Sequence, residues 1–241
     1  MNDFEGFTAL SFDCYGTLID WETGIRKELA MWSGRRGVEA AGDDLLMAFA
    51  NHETVVQGEQ PQLLYPAVLA ETLRRVAIQY GSEASMDECV AFGSSVARWP
   101  AFDDSVDALR RLKERYQLVI LSNIDRTSFA ASNARLGVEF DLIVTAEEVG
   151  AYKPSGSSFP ALLSRIGSIG VEPFQLLHVA QSLFHDHEPA NVVGLPSVWI
   201  DRRRGLDGSG ATPPPTSAAM QPRWQYPSMD AFATDALTPG G

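Results

Sequence analysis

Four polar clusters, three of them set against a run of apolar residues and one after a glycine, hold the side chains of this sequence that could do chemistry. The first is Asp13 in Leu10-Ser11-Phe12-Asp13-Cys14-Tyr15-Gly16-Thr17-Leu18. A carboxylate at the end of a short apolar strand, followed by a Gly-Thr turn, sits where α/β sheets open their ligand crevice. Gly16 lets the chain turn sharply there. The others are Leu121-Ser122-Asn123, Tyr152-Lys153-Pro154, and His178-Val179-Ala180-Gln181-Ser182-Leu183-Phe184-His185-Asp186. A carboxylate such as Asp13 can attack phosphorus or an sp3 carbon bearing a leaving group, forming a covalent intermediate that water then splits. Phosphoryl transfer on such a loop would use a second carboxylate two residues on to protonate the leaving group. Tyr15 stands there instead.

These side chains need a scaffold, and the hydrophobic pattern supplies one. Apolar runs at Phe7 to Phe12, Gln117 to Leu121, Phe140 to Val144, Leu176 to Ala180 and Ser197 to Ile200 read as buried parallel strands. The stretch from Ser105 to Lys113 separates two of them and has helical apolar spacing at Val106, Leu109 and Leu112. The expected fold class is α/β, a Rossmann-like doubly wound parallel sheet. Between the first two strands, helical patterns run over Ile25 to Trp32, Asp43 to Val56, Leu63 to Tyr80 and Met86 to Ala97. We read these as an inserted helical cap domain over 19–98, with the core formed by 1–18 and 99–241. A cap excludes water and selects substrate. The segment from Gly205 to Pro222 is rich in Gly, Pro, Ser and Thr and reads as an extended wrap without a role in the site. Trp224, Tyr226, Met229, Phe232 and Leu237 then give the chain end enough apolar surface to dock on the core.

With these four motifs in this order, the sequence resembles the haloacid dehalogenase superfamily, and its Asp-x-Tyr-Gly-Thr variant resembles the 2-haloacid dehalogenase branch. The resemblance implies a metal-free, cofactor-independent hydrolase of small 2-substituted carboxylic acids, foremost an (S)-2-haloacid dehalogenase. Asp13 would displace the leaving group at C2 and form an ester on its own side chain. Lys153 would keep the Asp13 pKa low as a nearby opposite charge, and Asp186 would hold Lys153 or orient water. Ser122 and Asn123 resemble the family's carboxylate-binding pair, and Asn123 or Asp125 could equally cap a following helix. Backbone N–H groups around Tyr15 and Gly16 would stabilise an oxyanion. Tyr15, Thr17, Trp21, Asn51, Phe159 and Gln181 complete the expected substrate-binding set, Trp21 being open also to packing at the cap hinge.

The departures bear on the leaving group. Phosphatases of the superfamily carry an acid where this chain has Gln181, so Asp13 and Asp186 make a poor magnesium site. Phe159 replaces a family tyrosine. Dehalogenases of this type have a cap arginine against the halogen, whereas Phe49-Ala50-Asn51-His52-Glu53 has none. Asn51 or His52 is a candidate replacement, and the acidic Glu53 would suit an ammonium. Hydrolysis of azetidine-2-carboxylate, known among relatives, is the alternative activity. A metal-dependent phosphatase and a non-catalytic binding module rank below it.

Bulk properties exclude other classes. A net charge of −12 over 241 residues leaves no basic stripe for nucleic acid or an anionic membrane. Arg202-Arg203-Arg204 reads as a solvated strand end. The three histidines 178, 185 and 187 do not complete a metal ligand set. Cys14 and Cys89 are expected as reduced thiols. No signal-like start or membrane span is seen, so a cytoplasmic protein is expected. Spare apolar faces on a helical cap would permit a homodimer.

Overall fold

A strand buried on both faces needs apolar residues at nearly every position, and β1 (Ala9–Phe12) is buried throughout. In this computed structural model, which describes residues 3–205, 210–216 and 222–239, β1 lies near the middle of a six-stranded sheet ordered β3-β2-β1-β4-β5-β6. The partners are β2 (Gln117–Ser122), β3 (Leu142–Thr145), β4 (Leu176–Ala180), β5 (Ser197–Ile200) and β6 (Trp224–Tyr226), all parallel. Strand order reverses at β1, which pairs with β2 on one side and β4 on the other. The carboxyl ends of these three strands therefore bring Asp13, Ser122 and the segment after Ala180 to one crevice.

Helices α1 (Trp21–Arg36), α2 (Gly42–Glu59), α3 (Tyr65–Gln79) and α4 (Met86–Gly93) form the insertion between β1 and β2. Their ends are set locally. Asp20 caps α1 through the Thr23 N–H at 3.0 Å, and Ser85 with Glu88 forms a reciprocal capping box on α4. Val68, Leu69, Leu73 and Val76 give α3 a buried stripe that joins the main apolar core. The two chain crossings into the insertion are tied together: Asp20 N–H donates to Pro100 O at 2.8 Å and Phe102 N–H to Leu18 O at 3.0 Å. Gly24 packs so close to the crossing that a Cβ would lie 2.4 Å from the Trp99 ring.

Helix α5 (Ser105–Lys113) precedes β2; α6 (Arg126–Leu136) follows it, capped by Asp125 rather than Asn123. Helices α7 (Ala146–Val149) and α8 (Ser158–Arg165) lead to β4, and α9 (Glu188–Val192) to β5. Two buried apolar clusters lie on the sheet, one holding Leu10 and Phe12, the other Ala9, Val119 and Phe159. The architecture is thus α/β and doubly wound with a helical insertion. No helix among the described residues is long and apolar enough to cross a membrane, and Cys14 and Cys89 are free.

Three details differ from the sequence reading. Trp224–Tyr226 adds an edge strand, too short to show a period, before α10 (Met229–Leu237). Arg202 is no solvated end: its guanidinium donates to Thr17 O at 2.7 Å and to Asp104 at 2.8 Å, and lies over the Phe102 ring. Of the Gly/Pro-rich segment, 206–209 and 217–221 lie outside the described residues, while Ala211, Thr212 and Pro213 line the cavity described next.

Candidate active site

Asp13 is fixed by its place in the sheet. Its N–H donates to Val179 O of β4 at 3.1 Å. Its two side-chain oxygens are separately engaged: Oδ2 accepts from Thr17 Oγ1 at 2.8 Å and Oδ1 from Lys153 Nζ at 2.9 Å. Thr17 is fully buried and in turn accepts the Gln181 N–H at 2.9 Å. It braces the Asp13 carboxylate and does not line the cavity described below. Gly16 makes this turn at φ 96°, and a Cβ would stand 3.2 Å from Gln181 Oε1 and 3.3 Å from Trp21 Nε1.

Lys153 uses all three ammonium protons. Nζ donates to Asp13 Oδ1, to Asp186 Oδ1 at 2.6 Å and to Leu121 O at 2.9 Å. Its backbone is clamped by Asn123, whose Oδ1 accepts the Lys153 N–H at 2.6 Å and whose Nδ2 donates to Lys153 O at 2.9 Å. Asn123 lines the cavity, yet these bonds make it a holder of Lys153 more than a carboxylate ligand. Ser122 Oγ, by contrast, is buried with no partner among the described residues.

Behind Asp186 lies a relay absent from our sequence reading. His178 bonds Asp186 Oδ1 through Nε2 at 3.1 Å and Ser11 Oγ through Nδ1 at 2.9 Å. Ser11 and His178 face each other in register across β1 and β4. The signal was there: two polar residues inside apolar strands must find partners when buried. Phe159 packs edge-on against His178, its ring centroid 5.0 Å away, and does not line the cavity.

One cation serves two buried carboxylates, and they do not share it equally. Burial raises Asp13 above the usual carboxylate range; Lys153 only partly offsets this, and Asp186 adds to it. For Asp186, burial acts upward too, but Lys153 and His178 carry it well below the usual range. Lys153 itself, despite burial, is raised by Asp13 and Asp186 and stays charged. The expectation that Lys153 keeps Asp13 low is therefore corrected: desolvation outweighs the ion pair at Asp13.

Above this floor is a cavity of about 80 Å³. This is well above the roughly 10–15 Å³ that one water needs, and the cavity is not fully enclosed. Helix α2 forms the roof with Ala50, Glu53, Thr54 and Gln57, a spacing that puts all four on one face. Tyr15, Trp21 and Tyr65 supply aromatic walls. The Tyr15 hydroxyl is engaged with Ser132 Oγ at 2.7 Å, so its ring faces the cavity as surface. Trp21 does both things foreseen for it, lining the cavity and packing against Phe49 of α2. Gln181 and His185 lie at the rim, and burial pushes the His185 imidazole down to about 4.

Asn51 does not belong here. It is exposed and outside the lining, and His52 bonds Gln79 Oε1 at 2.8 Å. A turn of 100° per residue carries these two off the face that Ala50, Glu53 and Thr54 share. The sequence reading has Glu53 as an acidic neighbour that would suit an ammonium but not among the substrate-binding set; it lines the roof with Thr54 and Gln57, beside Tyr65. The Gly16 N–H is also unavailable for an oxyanion, because it donates to Ile19 O at 2.8 Å.

The donor set does not suit a divalent metal. The Lys153 ammonium already neutralises one oxygen each of Asp13 and Asp186. Tyr15 and Gln181 supply no further carboxylate, and among the described residues no three His, Cys, Asp or Glu converge.

This arrangement can be set beside known proteins. A family model described as haloacid dehalogenase-like hydrolase matches residues 7–180. An (S)-2-haloacid dehalogenase of Pseudomonas putida is 28% identical over 241 aligned residues, covering 92% of this chain and 98% of that protein. One from Pseudomonas fluorescens is 29% identical over 238 residues, covering 91% and 96%. Among solved structures, the L-2-haloacid dehalogenase of Xanthobacter autotrophicus with chloropropionic acid covalently bound superposes with a TM-score of 0.76 at 18% identity, covering 95% of this chain and 97% of that one. That likeness concerns the fold. The family match spans most of the chain, from β1 and its Asp13 turn to the end of β4, and on that ground the protein is a member of the haloacid dehalogenase-like hydrolases.

Proposed function

We propose that this protein hydrolyses small 2-substituted carboxylic acids, foremost (S)-2-haloacids, by direct displacement at C2. The observation that carries the reading is Asp13 itself: a positioned carboxylate paired with a lysine, with Tyr15 in place of a second acid, at the floor of a small cavity. Held in line with the C–X bond, such a carboxylate gains from proximity and from exclusion of water. The Asp13 oxygen bonds to C2 as the leaving group departs with the bonding pair, inverting the carbon. Ser122 Oγ, buried and unpartnered, is the hydroxyl assigned in this reading to the substrate carboxylate, although Ser122 does not itself line the cavity.

Water then splits the ester at the Asp13 carbonyl carbon. Asp186 Oδ2 is the acceptor for that water, since Oδ1 is committed to Lys153 and His178 while Oδ2 is buried without a partner. The Asp13 oxygen not bonded to C2 is the one on which charge builds, and it has a donor in place whichever it is: Thr17 for Oδ2 or Lys153 for Oδ1. The haloacid preference draws support from the Pseudomonas relatives, and a covalent substrate adduct from the Xanthobacter structure. A ring amine, as in azetidine-2-carboxylate, is the second reading, favoured by an acidic side chain in the roof, Glu53.

The test is halide release from both enantiomers of 2-chloropropionate in excess chelator, comparing native protein with Asp13→Asn. Release from the (S) form that survives chelation and disappears in the variant is the expected result. No release from either enantiomer would sink the haloacid reading.

A further inference from the structure

The roof of the cavity holds a carboxyl group that the displacement just described does not use. Glu53 projects from α2 into the same cavity as Asp13. Its Oε1 accepts the Tyr65 hydroxyl at 2.7 Å, and Oε2 makes no hydrogen bond within the described residues. No lysine or arginine pairs with it there. The groups facing it from neighbouring elements are Tyr65 on α3, Asp13 and Tyr15 after β1, Tyr152 and Lys153 before α8, and His185 and Asp186 after β4. Of these, Lys153 alone is charged positive, and it is held by two other carboxylates. Arg75 on α3 is bound to Glu59 and Glu71.

A carboxyl group in such a place binds either a proton or a cation brought by the substrate. The substrate class proposed above brings an anion, which pushes the balance further toward the proton. Burial already raises Glu53 to about 7, with the Tyr65 hydrogen bond only partly opposing it. We propose that Glu53 is the leaving-group donor of this site: its protonated Oε2 hydrogen-bonds to the group departing from C2 and transfers the proton where that group is basic. The donor stands in the cap stretch that lacks an arginine, and it fits leaving groups that accept hydrogen bonds strongly, fluoride or a ring nitrogen, above bromide or iodide.

The step balances without another reagent. Asp13 oxygen forms its bond to C2, the C2–X pair goes to X, and X takes a hydrogen bond or the proton from Glu53. Hydrolysis of the ester then regenerates the Asp13 carboxylate and releases one proton, which restores the acid form of Glu53. Tyr65 positions the group by holding Oε1, which leaves Oε2 available to donate.

This inference rests on displacement at C2, so its test has an arm that does not need turnover. The first arm measures kcat/KM against pH for (S)-2-chloropropionate and its 2-fluoro analogue, in native protein, Glu53→Gln and Glu53→Ala. Native activity should fall about tenfold per pH unit above roughly 7. Glu53→Gln keeps an N–H donor that does not titrate and should lose that limb. Glu53→Ala should lose more with fluoride than with chloride as leaving group. A descending limb that persists in Glu53→Gln, or a flat native profile, would overturn the assignment. The second arm measures binding of (S)-lactate, whose hydroxyl takes the place of the leaving group. Native affinity should weaken by about tenfold between pH 6 and pH 8.5, with Glu53→Gln unchanged across that range. Equal pH dependence in both proteins would refute the donor role. Failure of every 2-substituted acid to react, with the binding difference intact, would count against displacement and not against Glu53.

Discussion

The floor and the roof of the cavity are built on different physical plans. The floor is a closed network at the carboxyl ends of β1, β2 and β4, in which Asp13, Lys153, Asp186, Thr17 and His178 are all buried and nearly every polar atom is paired. The roof is one face of a helix, half-buried, whose acidic group has a single tyrosine for company. Charges removed from water hold one geometry because breaking any pair leaves the rest uncompensated. A helix face carries no such penalty and can be varied residue by residue. On the proposed mechanism, the contrast puts the nucleophile in the core and the choice of leaving group in the insertion.

The sharpest way to break this division is to remove Lys153. Lys153→Ala strands two buried carboxylates and should abolish activity while lowering stability by about 3–5 kcal/mol. Urea denaturation with activity assays checks both. A variant as stable as native protein would show that the floor is not the tight network described. Because Asp186 is depressed, the network's contribution is present above the unfolded carboxylate pKa and fades as pH falls toward the folded one. The destabilisation measured for Lys153→Ala should therefore shrink below about pH 4.

The relay behind Asp186 comes next. His178→Phe removes one hydrogen bond from a charged group, an effect of about 1.5–3 kcal/mol, so kcat should drop roughly 10- to 100-fold with KM little changed. An equal rise in KM would place His178 in substrate binding instead. Glu53 offers a smaller effect of opposite sign. Its folded pKa, about 7, lies above the ordinary 4.5. Folded protein therefore holds a proton that unfolded protein has lost, and stability declines as pH rises through that window. Glu53→Gln should become more stable than native protein by on the order of 2 kcal/mol between pH 4.5 and pH 8. Thermal melts across that range would reveal no gain if Glu53 is well solvated. Smallest of all, Asn51→Ala should stay within about 0.5 kcal/mol of native stability with unaltered kinetics, as suits an exposed helix position.

How far the sequence foretold this molecule follows the same division. The sheet was legible because strands buried on both faces must be apolar, and Asp13 was legible because it sits just beyond such a run. Lys153 and Asp186 stand farther from their strands and were read from the order of the motifs. Thr17 and Asn123 were recognised as site residues, but whether they face the substrate or brace the nucleophile depends on backbone register. The roof was harder to read. Glu53, Thr54 and Gln57 form a polar stripe on a helix, which in sequence looks like any solvated face, and Asn51 was favoured over Glu53 for want of a phase to the helix. Thr212 and Pro213 close the cavity from a segment more than 190 residues away in the chain from Asp13, a contact no local pattern encodes. Ser11 and His178 did carry a local sign, a polar residue in each of two apolar strands, and its meaning needed only their pairing.

The central claim is that Asp13 carries the substrate as an ester whose own carbonyl carbon is attacked by water. A single turnover of (S)-2-chloropropionate with excess protein in ¹⁸O-water tests it most directly, by mass spectrometry of the product and of the peptide containing Asp13. The account predicts unlabelled 2-hydroxypropionate and one ¹⁸O atom in Asp13. Labelled product with unlabelled Asp13 would show water attacking C2 itself and would contradict it.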